Sequence, residues 1–396
     1  MSWEKIKLGD CCEITSSKRV FYSEYADHGV LFYRSKEIIE RSQGQSISEP
    51  LYITNQRYDE IKNKFGVPVA GDMLLTSVGT IGIPYIVKET DKFYFKDGNL
   101  TWFRNFTNKL CVRYLYYWVT SKEGTGVLNN TTIGSSQKAL TISALKNIEV
   151  TVPQIDTQRR IADILSAYDD LIENHQKQIK LLEEAAQRLY KEWFVDLRFP
   201  GYENTKIVDG VPEGWKKTAL SDIADVVMGQ SPKSEFYNQI GEGLPFHQGV
   251  GSYGTRFVKD ETYSTSFTRI AEAGSILFSV RAPVGRLNIT KNKIVIGRGI
   301  AALNHKNGLQ SFMFYMLKER FFKDNLVGNS SIFASISKEE LLNQEFIIPC
   351  KDIMVKYDKV ARSIDDKIVS LDRQIELLTE ARDRLLPKLM SGELEV

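Results

Sequence analysis

The sequence predicts an α+β protein: two similar, mostly β modules separated by two long helices. These helices are expected to pack within the chain as an antiparallel coiled coil, giving pseudo-two-fold symmetry. Three observations carry that expectation. A charged, leucine-rich stretch occurs twice, as "LIENHQKQIKLLEEAAQRLYKEWF" and "KIVSLDRQIELLTEARDRLLPKLM". Each copy places apolar residues at alternating steps of four and three, the mark of a heptad seam. Each copy also follows a segment whose short apolar runs recur in the same order.

The chain divides in order into a first module (1–153), a central helix (154–200), a second module (201–349) and a C-terminal helix (350–396). At 396 residues it exceeds what a single core sustains. The first module opens with "WEKIKLGDCCEI" at Trp3, and the second with "WKKTALSDIADV" at Trp215. "GDMLLTSVGTIG" from Gly71 answers to "GSILFSVRAPVG" from Gly274, and "DGNLTWF" to "IGRGIAAL". "GDMLLTSV", "KIVIGRG" and "NIEVTVP" are apolar runs bounded by Gly or Pro, hence strands. "KLCVRYLYYWVTS" and "QSFMFYMLKERFF" have helical spacing at matching places, and their aromatics are assigned to the core. "LTISALKNIEVTVP" ends the first module at Pro153, and "ASISKEELLNQEFIIP" ends the second at Pro349.

In the central helix the seam runs through Ile161, Leu165, Tyr168, Ile172, His175, Ile179, Leu182, Ala186, Leu189 and Trp193. In the last helix it runs through Tyr357, Ala361, Ile364, Ile368, Leu371, Ile375, Leu378, Arg382, Leu385 and Leu389. The two stretches align without a gap, Tyr168 falling on Ile364 and Leu181 on Leu377. Two helices with one seam each bury those seams against each other. Because the second module begins soon after the first helix ends, the second helix must run back along the first. His175 reads as a core histidine. Arg382 falls near Tyr168 by symmetry, where it either stacks on the ring or fixes register. A seam of about 32 residues spans roughly 50 Å. Modules held that way would suit DNA half-sites a helical turn or more apart.

At these residues the chain resembles the specificity (S) subunits of Type I restriction–modification systems. "LIENHQKQIKLLEEAAQRLYKEWFVDLRFPGYE" and "LDRQIELLTEARDRLLPKLMSGEL" look like the family's repeated helical regions. "FSVRAPVGRLNI", "IGRGIAAL" and "SQKALTISALKNI" look like framework motifs of its target recognition domains. The first module's "TSVGTIG" lacks the arginine that Arg281 supplies in the second. The resemblance implies that each module reads one half of a bipartite sequence in double-stranded DNA, and that the helices set the spacer. It implies docking of two methyltransferase (M) subunits, which bind S-adenosylmethionine, and recruitment of motor–nuclease (R) subunits that use ATP and Mg. The chain itself would hold no cofactor and perform no chemistry. A scaffold whose β modules bind proteins is the alternative.

The residues agree with a binding role. An amino-methyltransferase loop of the type [N/D]-P-P-[Y/F] and a P-loop are both missing from the sequence. "GVGSYG" matches G-x-G-x-x-G but lies inside a module and precedes no convincing helix. Glu60-Ile61-Lys62 has nuclease-like spacing without a placed acidic companion. His28, His175, His247 and His305 form no metal spacing, and Cys11, Cys12, Cys111 and Cys350 form neither a disulfide framework nor a zinc site. No apolar run suits a membrane span, the N-terminus has no signal pattern, and a cytoplasmic location is expected. A formal charge of +2 means that any DNA-binding charge is clustered locally or shared with a partner.

Direct readout uses Arg and Lys at guanine edges, Asn and Gln at adenine edges, and hydroxyls at either. Loops after presumed strands supply these types. In the first module the candidates are Arg34, Ser35, Lys36, Thr76, Ser77, Thr80, Ser135, Ser136, Gln137 and Lys138. In the second they are His247, Gln248, Tyr253, Arg256, Arg281, Arg286, Arg298, Asn329, Ser330 and Ser331.

Overall fold

The computed structural model describes residues 3–134, 138–208, 210–321 and 335–396. Six candidates, Ser135, Ser136, Gln137, Asn329, Ser330 and Ser331, lie outside the described residues. The chain forms two compact units, Met1–Gln176 with Arg373–Val396, and Lys177–Asp372. Each unit therefore holds one module and a part of both long helices.

In the first unit the module is zipped shut by its own ends, strand Glu4–Lys7 pairing antiparallel with Glu149–Val152. Between them lies an antiparallel sheet in the order Glu13–Thr15, Leu100–Arg104, Met73–Thr76, Pro84–Ile86. A second sheet joins Tyr25–Ala26, Tyr52–Ile53, Val30–Tyr33 and Phe93–Phe95, the last two parallel. The unbroken apolar run at Met73–Thr76 has a simple cause. Alternate side chains of a strand point to opposite faces: Met73 and Leu75 enter one core, Leu74 the other. The first of these cores includes Tyr114, Tyr117 and Trp118 of helix Val112–Thr120, together with Ile161, Leu165 and Leu389 of the long helices.

The second unit repeats the plan. Lys216–Ala219 pairs with Glu345–Ile348. One sheet runs Ala224–Met228, Ile300–His305, Ile276–Ser279, Leu287–Ile289. The other runs Tyr237–Asn238, Tyr263–Ser264, Leu244–His247, Ile294–Ile296, and adds Ile270–Ala271 at its edge. Ile276 and Phe278 again face one core while Leu277 faces another.

Both long helices, Ile155–Phe194 and Lys351–Ser391, are continuous and enter both units. Within the first unit, early turns of the one meet late turns of the other: Ile161, Ala162 and Leu165 share a core with Leu389 and Met390. Farther along, Arg382 donates to Asp169 at 2.6 Å. Within the second unit the late turns of the first helix meet the early turns of the second. Tyr357 donates to the Ala186 carbonyl at 2.9 Å and lies edge-on to Tyr190. The helices are antiparallel in each unit, and the protein is α+β.

The seam positions are shielded throughout. Ile161, Leu165, Ile179, Ile368, Leu371 and Leu389 are buried. Tyr168, Ile172, His175, Leu182, Leu189, Trp193, Ile364, Ile375, Leu378, Arg382 and Leu385 are partly buried. Of the two roles open to Arg382, the polar seam contact is the one seen: its guanidinium pairs across the helices with Asp169, the residue after Tyr168, and with Asp383 on its own helix. A carboxylate within reach holds a cation more strongly than a ring face does. All four cysteines are free thiols, and burial pushes the Cys12 thiol up to about 12. No helix among the described residues is long and apolar enough to cross a membrane.

Candidate nucleic-acid interface

Strand register decides which loops meet. In the second unit Met228 faces Ala301 and Ser279 faces Ile300, so two strands end where Ile300–His305 begins. His247 and Ile296 end a parallel pair together. The loops after Met228, His247, Ser279 and Ile296 therefore open on one edge. Backbone bonds lock them to each other. The Gly297 N–H donates to the His247 carbonyl at 2.8 Å, Gly299 to Gln248 at 3.0 Å, and Gln230 to Ile296 at 2.9 Å. The Arg298 N–H donates to Ser231 Oγ at 3.2 Å. The approach is closest at two glycines. A Cβ on Gly299 would sit 2.4 Å from the Gln248 carbonyl oxygen, and one on Gly229 would sit 2.1 Å from that of Gly297. No side chain fits at either place.

What protrudes from this locked backbone is mainly polar or cationic, with exposed Glu235 the acid among them, 3.8 Å from Lys233. Gln230, Lys233, Gln248, Arg281, Arg286 and Arg298 are all exposed. Gln230, Ser231, Lys233, Gln248 and Arg298 line one shallow cleft. Beside it, Ser279 Oγ accepts from the Arg286 N–H at 2.8 Å and donates to the Pro283 carbonyl at 2.6 Å, which shapes the turn carrying Arg281 and Arg286. The strip at Ser335 pairs with Arg281, and the Ile336 N–H donates to the Val280 carbonyl.

The first unit builds the same edge. Thr76 faces Leu100 and Tyr33 faces Phe95, so the loops after Thr15, Tyr33, Thr76 and Phe95 come together. Thr76 Oγ1 accepts from the Ile83 N–H at 2.9 Å, as Ser279 does from Arg286. Ala139 pairs with Val78, as Ser335 does with Arg281. The side chains differ. Arg19 pairs with Asp97 at 2.9 Å, Lys36 with Glu49 at 2.8 Å, and Arg34 with buried Glu37 at 2.5 Å. Ser35 Oγ donates to the Asn99 carbonyl at 3.5 Å, while Thr80 and Lys138 are exposed.

Five candidates turn away from these edges. Thr76 and Ser77 are fully buried, Ser77 sharing a hydroxyl bond of 2.7 Å with Thr101; they hold the turn and cannot reach a ligand. His247 is buried against Asp260 at 2.9 Å. Burial raises the Asp260 carboxyl, but its bonds from His247 and Asn292 outweigh this and leave it below the ordinary range. The Tyr253 hydroxyl is buried, and burial pushes its pKa up. Arg256 is only 4% exposed. It lies 3.9 Å from the Phe314 ring centroid and bonds to Asp365 at 2.5 Å and Glu183 at 3.3 Å. That pairing ties the module to both long helices within its unit, because a buried guanidinium must find carboxylates.

Four edge residues escaped the sequence reading: Lys18, Arg19, Gln230 and Lys233. Their signal was present, since "TSSKR" and "GQSPK" follow the matching strands Glu13–Thr15 and Ala224–Met228. The arrangement suits recognition of an anionic, hydrogen-bonding polymer: exposed cations for phosphates and amides for base edges, on a fixed backbone. Among the described residues no group of three side chains could hold a metal ion.

The comparisons agree with this geometry. The family model for the Type I restriction modification DNA specificity domain matches twice, over residues 1–184 and 212–385. The Type I restriction enzyme MjaIX specificity subunit of Methanocaldococcus jannaschii is 30% identical over 348 residues, 82% of this chain and 78% of that protein. The putative MjaX specificity subunit of the same organism is 29% identical over 338 residues, 83% of this chain and 79% of its own. In fold, the chain is similar to the crystal structure of a Type-I restriction-modification system S subunit from M. genitalium. The TM-score is 0.60 at 16% identity, covering 98% of this chain and 96% of that one.

Proposed function

This chain belongs to the Type I restriction–modification DNA specificity family, and on that premise we propose that each of its two modules reads one half of a bipartite site in double-stranded DNA. Its role is the family's non-catalytic one, DNA sequence recognition within a complex of several subunits. One observation carries the division of labour. The two units share the framework of the loop edge, down to the hydroxyl of Thr76 or Ser279 that caps its turn, yet present different side chains on it. Shared framework with different tips is what two readers of different sequences require.

The long helices set the spacer in this reading, being unbroken from one unit into the other. They also offer docking points for two methyltransferase subunits. Leu181 is 64% exposed and its repeat partner Leu377 is 49% exposed, one in each unit. S-adenosylmethionine would be held by the methyltransferase subunits, ATP and Mg by motor–nuclease subunits, and the assembly would act in the cytoplasm.

Footprinting of the assembled complex tests this. Two protected patches separated by unprotected base pairs are expected; a protein-binding scaffold would leave DNA unprotected. Leu181→Glu and Leu377→Glu should each cost one methyltransferase copy by native mass.

A further inference from the structure

We infer that Gln248 and Arg298 are the base-reading pair of the second module, Gln248 taking an adenine edge and Arg298 a guanine edge in the major groove. The inference rests on the recognition function above and deepens it to individual bases.

Four observations meet here. First, the two residues stand on loops in direct backbone contact: Gly299 bonds to Gln248, and Gly297 to His247. Their Cα atoms are therefore fixed relative to each other before DNA arrives. Second, the two backbones approach so closely that no Cβ would fit at Gly299, so the contact depends on glycine there. Third, both side chains are exposed and line the same cleft. Among the described residues neither side chain is held by a hydrogen bond or an ion pair. Fourth, the matching position in the first module is occupied differently. Arg34, like Gln248, is the first residue after its strand, but its guanidinium is held by Glu37. An acid-paired arginine must break an ion pair to read a base; Gln248 and Arg298 need break nothing.

The chemistry follows from donor patterns. A glutamine amide offers one donor and one acceptor, matching adenine N7 and N6. An arginine fork offers two parallel donors, matching guanine O6 and N7. Arg281 and Arg286 lie on the neighbouring turn, where cations suit the flanking phosphates.

The test uses the assembled complex with its methyltransferase. The preferred site is first selected from a pool of random duplexes. Affinity is then measured for duplexes carrying every single base-pair substitution in each half. Arg298→Lys should lose discrimination at one G·C pair of one half-site by about 10- to 100-fold, because a point charge cannot replace the fork. Gln248→Glu should shift one position of that half-site from adenine toward cytosine, whose amino group a carboxylate accepts. The other half-site should stay unchanged. Uniform weakening on all duplexes by Arg298→Ala, with affinity restored by Arg298→Lys, would make Arg298 a phosphate contact and overturn the assignment. Wild-type behaviour of both variants would also overturn it while leaving the bipartite reading intact. Failure of the wild-type complex to select any split site would overturn both.

Discussion

The two units solve one problem with different chemistry: how to fasten a β module to a pair of helices. In the first, Tyr117 donates to Asp169 at 2.6 Å, and the cation on Asp169 is Arg382, from the other helix. In the second, Tyr315 donates to Asp365 at 2.9 Å, and the cation is Arg256, from the module itself. Asp169 and Asp365 occupy the same place in the repeat, whereas Arg382 answers to Ala186. That alanine leaves room for Tyr357, whose hydroxyl bonds to the Ala186 carbonyl. Around it Tyr190, Phe194, Phe312 and Tyr357 form a cluster of tilted and edge-on rings. The matching places in the first unit hold Leu386, Met390 and, for Tyr357, Ile161. A shared Tyr–Asp contact thus survives while both the cation and the packing around it have changed. The helix repeat is conserved as a frame, and each module has been fitted to it separately.

The contrast can be broken most sharply at its cations. Arg256→Ala takes the guanidinium from Asp365, which keeps the Tyr315 hydroxyl, and from Glu183, which keeps Lys318 at 3.7 Å, and should cost the second unit about 3 kcal/mol by denaturant unfolding. Arg382→Ala acts on a pair that water still reaches, and should cost about 1 kcal/mol. Equal costs would mean that the two fasteners are equivalent after all.

A smaller effect is expected at the glycines of the loop edge. Gly299→Ala forces backbone apart and should cost about 1–3 kcal/mol together with a loss of DNA affinity. Gly98→Ala, in the first module, meets no atom within 4 Å but has φ +78, and should cost about 1 kcal/mol from that conformation alone. Footprints of the two variants, compared half-site by half-site, check this.

Next, Tyr357→Phe removes one buried hydrogen bond and keeps the rings, so about 1 kcal/mol is expected.

The least effect is a pH step confined to the second unit. Burial holds His305 below the ordinary histidine value of 6.5, and its Nδ1 accepts from the Asn307 N–H at 3.0 Å. A histidine kept neutral by folding binds its proton more readily when unfolded. Its stabilising share is therefore complete above the unfolded value of about 6.5 and is lost as pH falls from there through the lower folded value. His305→Asn, the residue at Asn105 in the first module, should flatten the step, as read by hydrogen exchange of the second unit against pH.

Much of this was legible from residue types in order. The heptad seam follows from local spacing, since apolar positions a turn apart must share a face. The strands inside "GDMLLTSV" and "GSILFSVR" were legible as apolar runs, although that each divides its side chains between two cores was not. The edge loops were half legible. Gln248, Arg281 and Arg298 follow presumed strands and are exposed, but Thr76, Ser77, His247, Tyr253 and Arg256 are also of types that can read bases and stand at or near the ends of similar apolar runs. Nothing local separates Arg256 from Arg286; what separates them is Asp365, more than a hundred residues away.

By itself the sequence determined the repeat, the two long helices with their seams, and the kind of side chain each loop carries, because these depend on spacing and composition along the chain. The tertiary structure alone decided which polar groups face solvent and which complete a buried network. That choice depends on strand register and on partners distant in sequence: a charge inside the protein is tolerated only where folding brings a counter-charge to it.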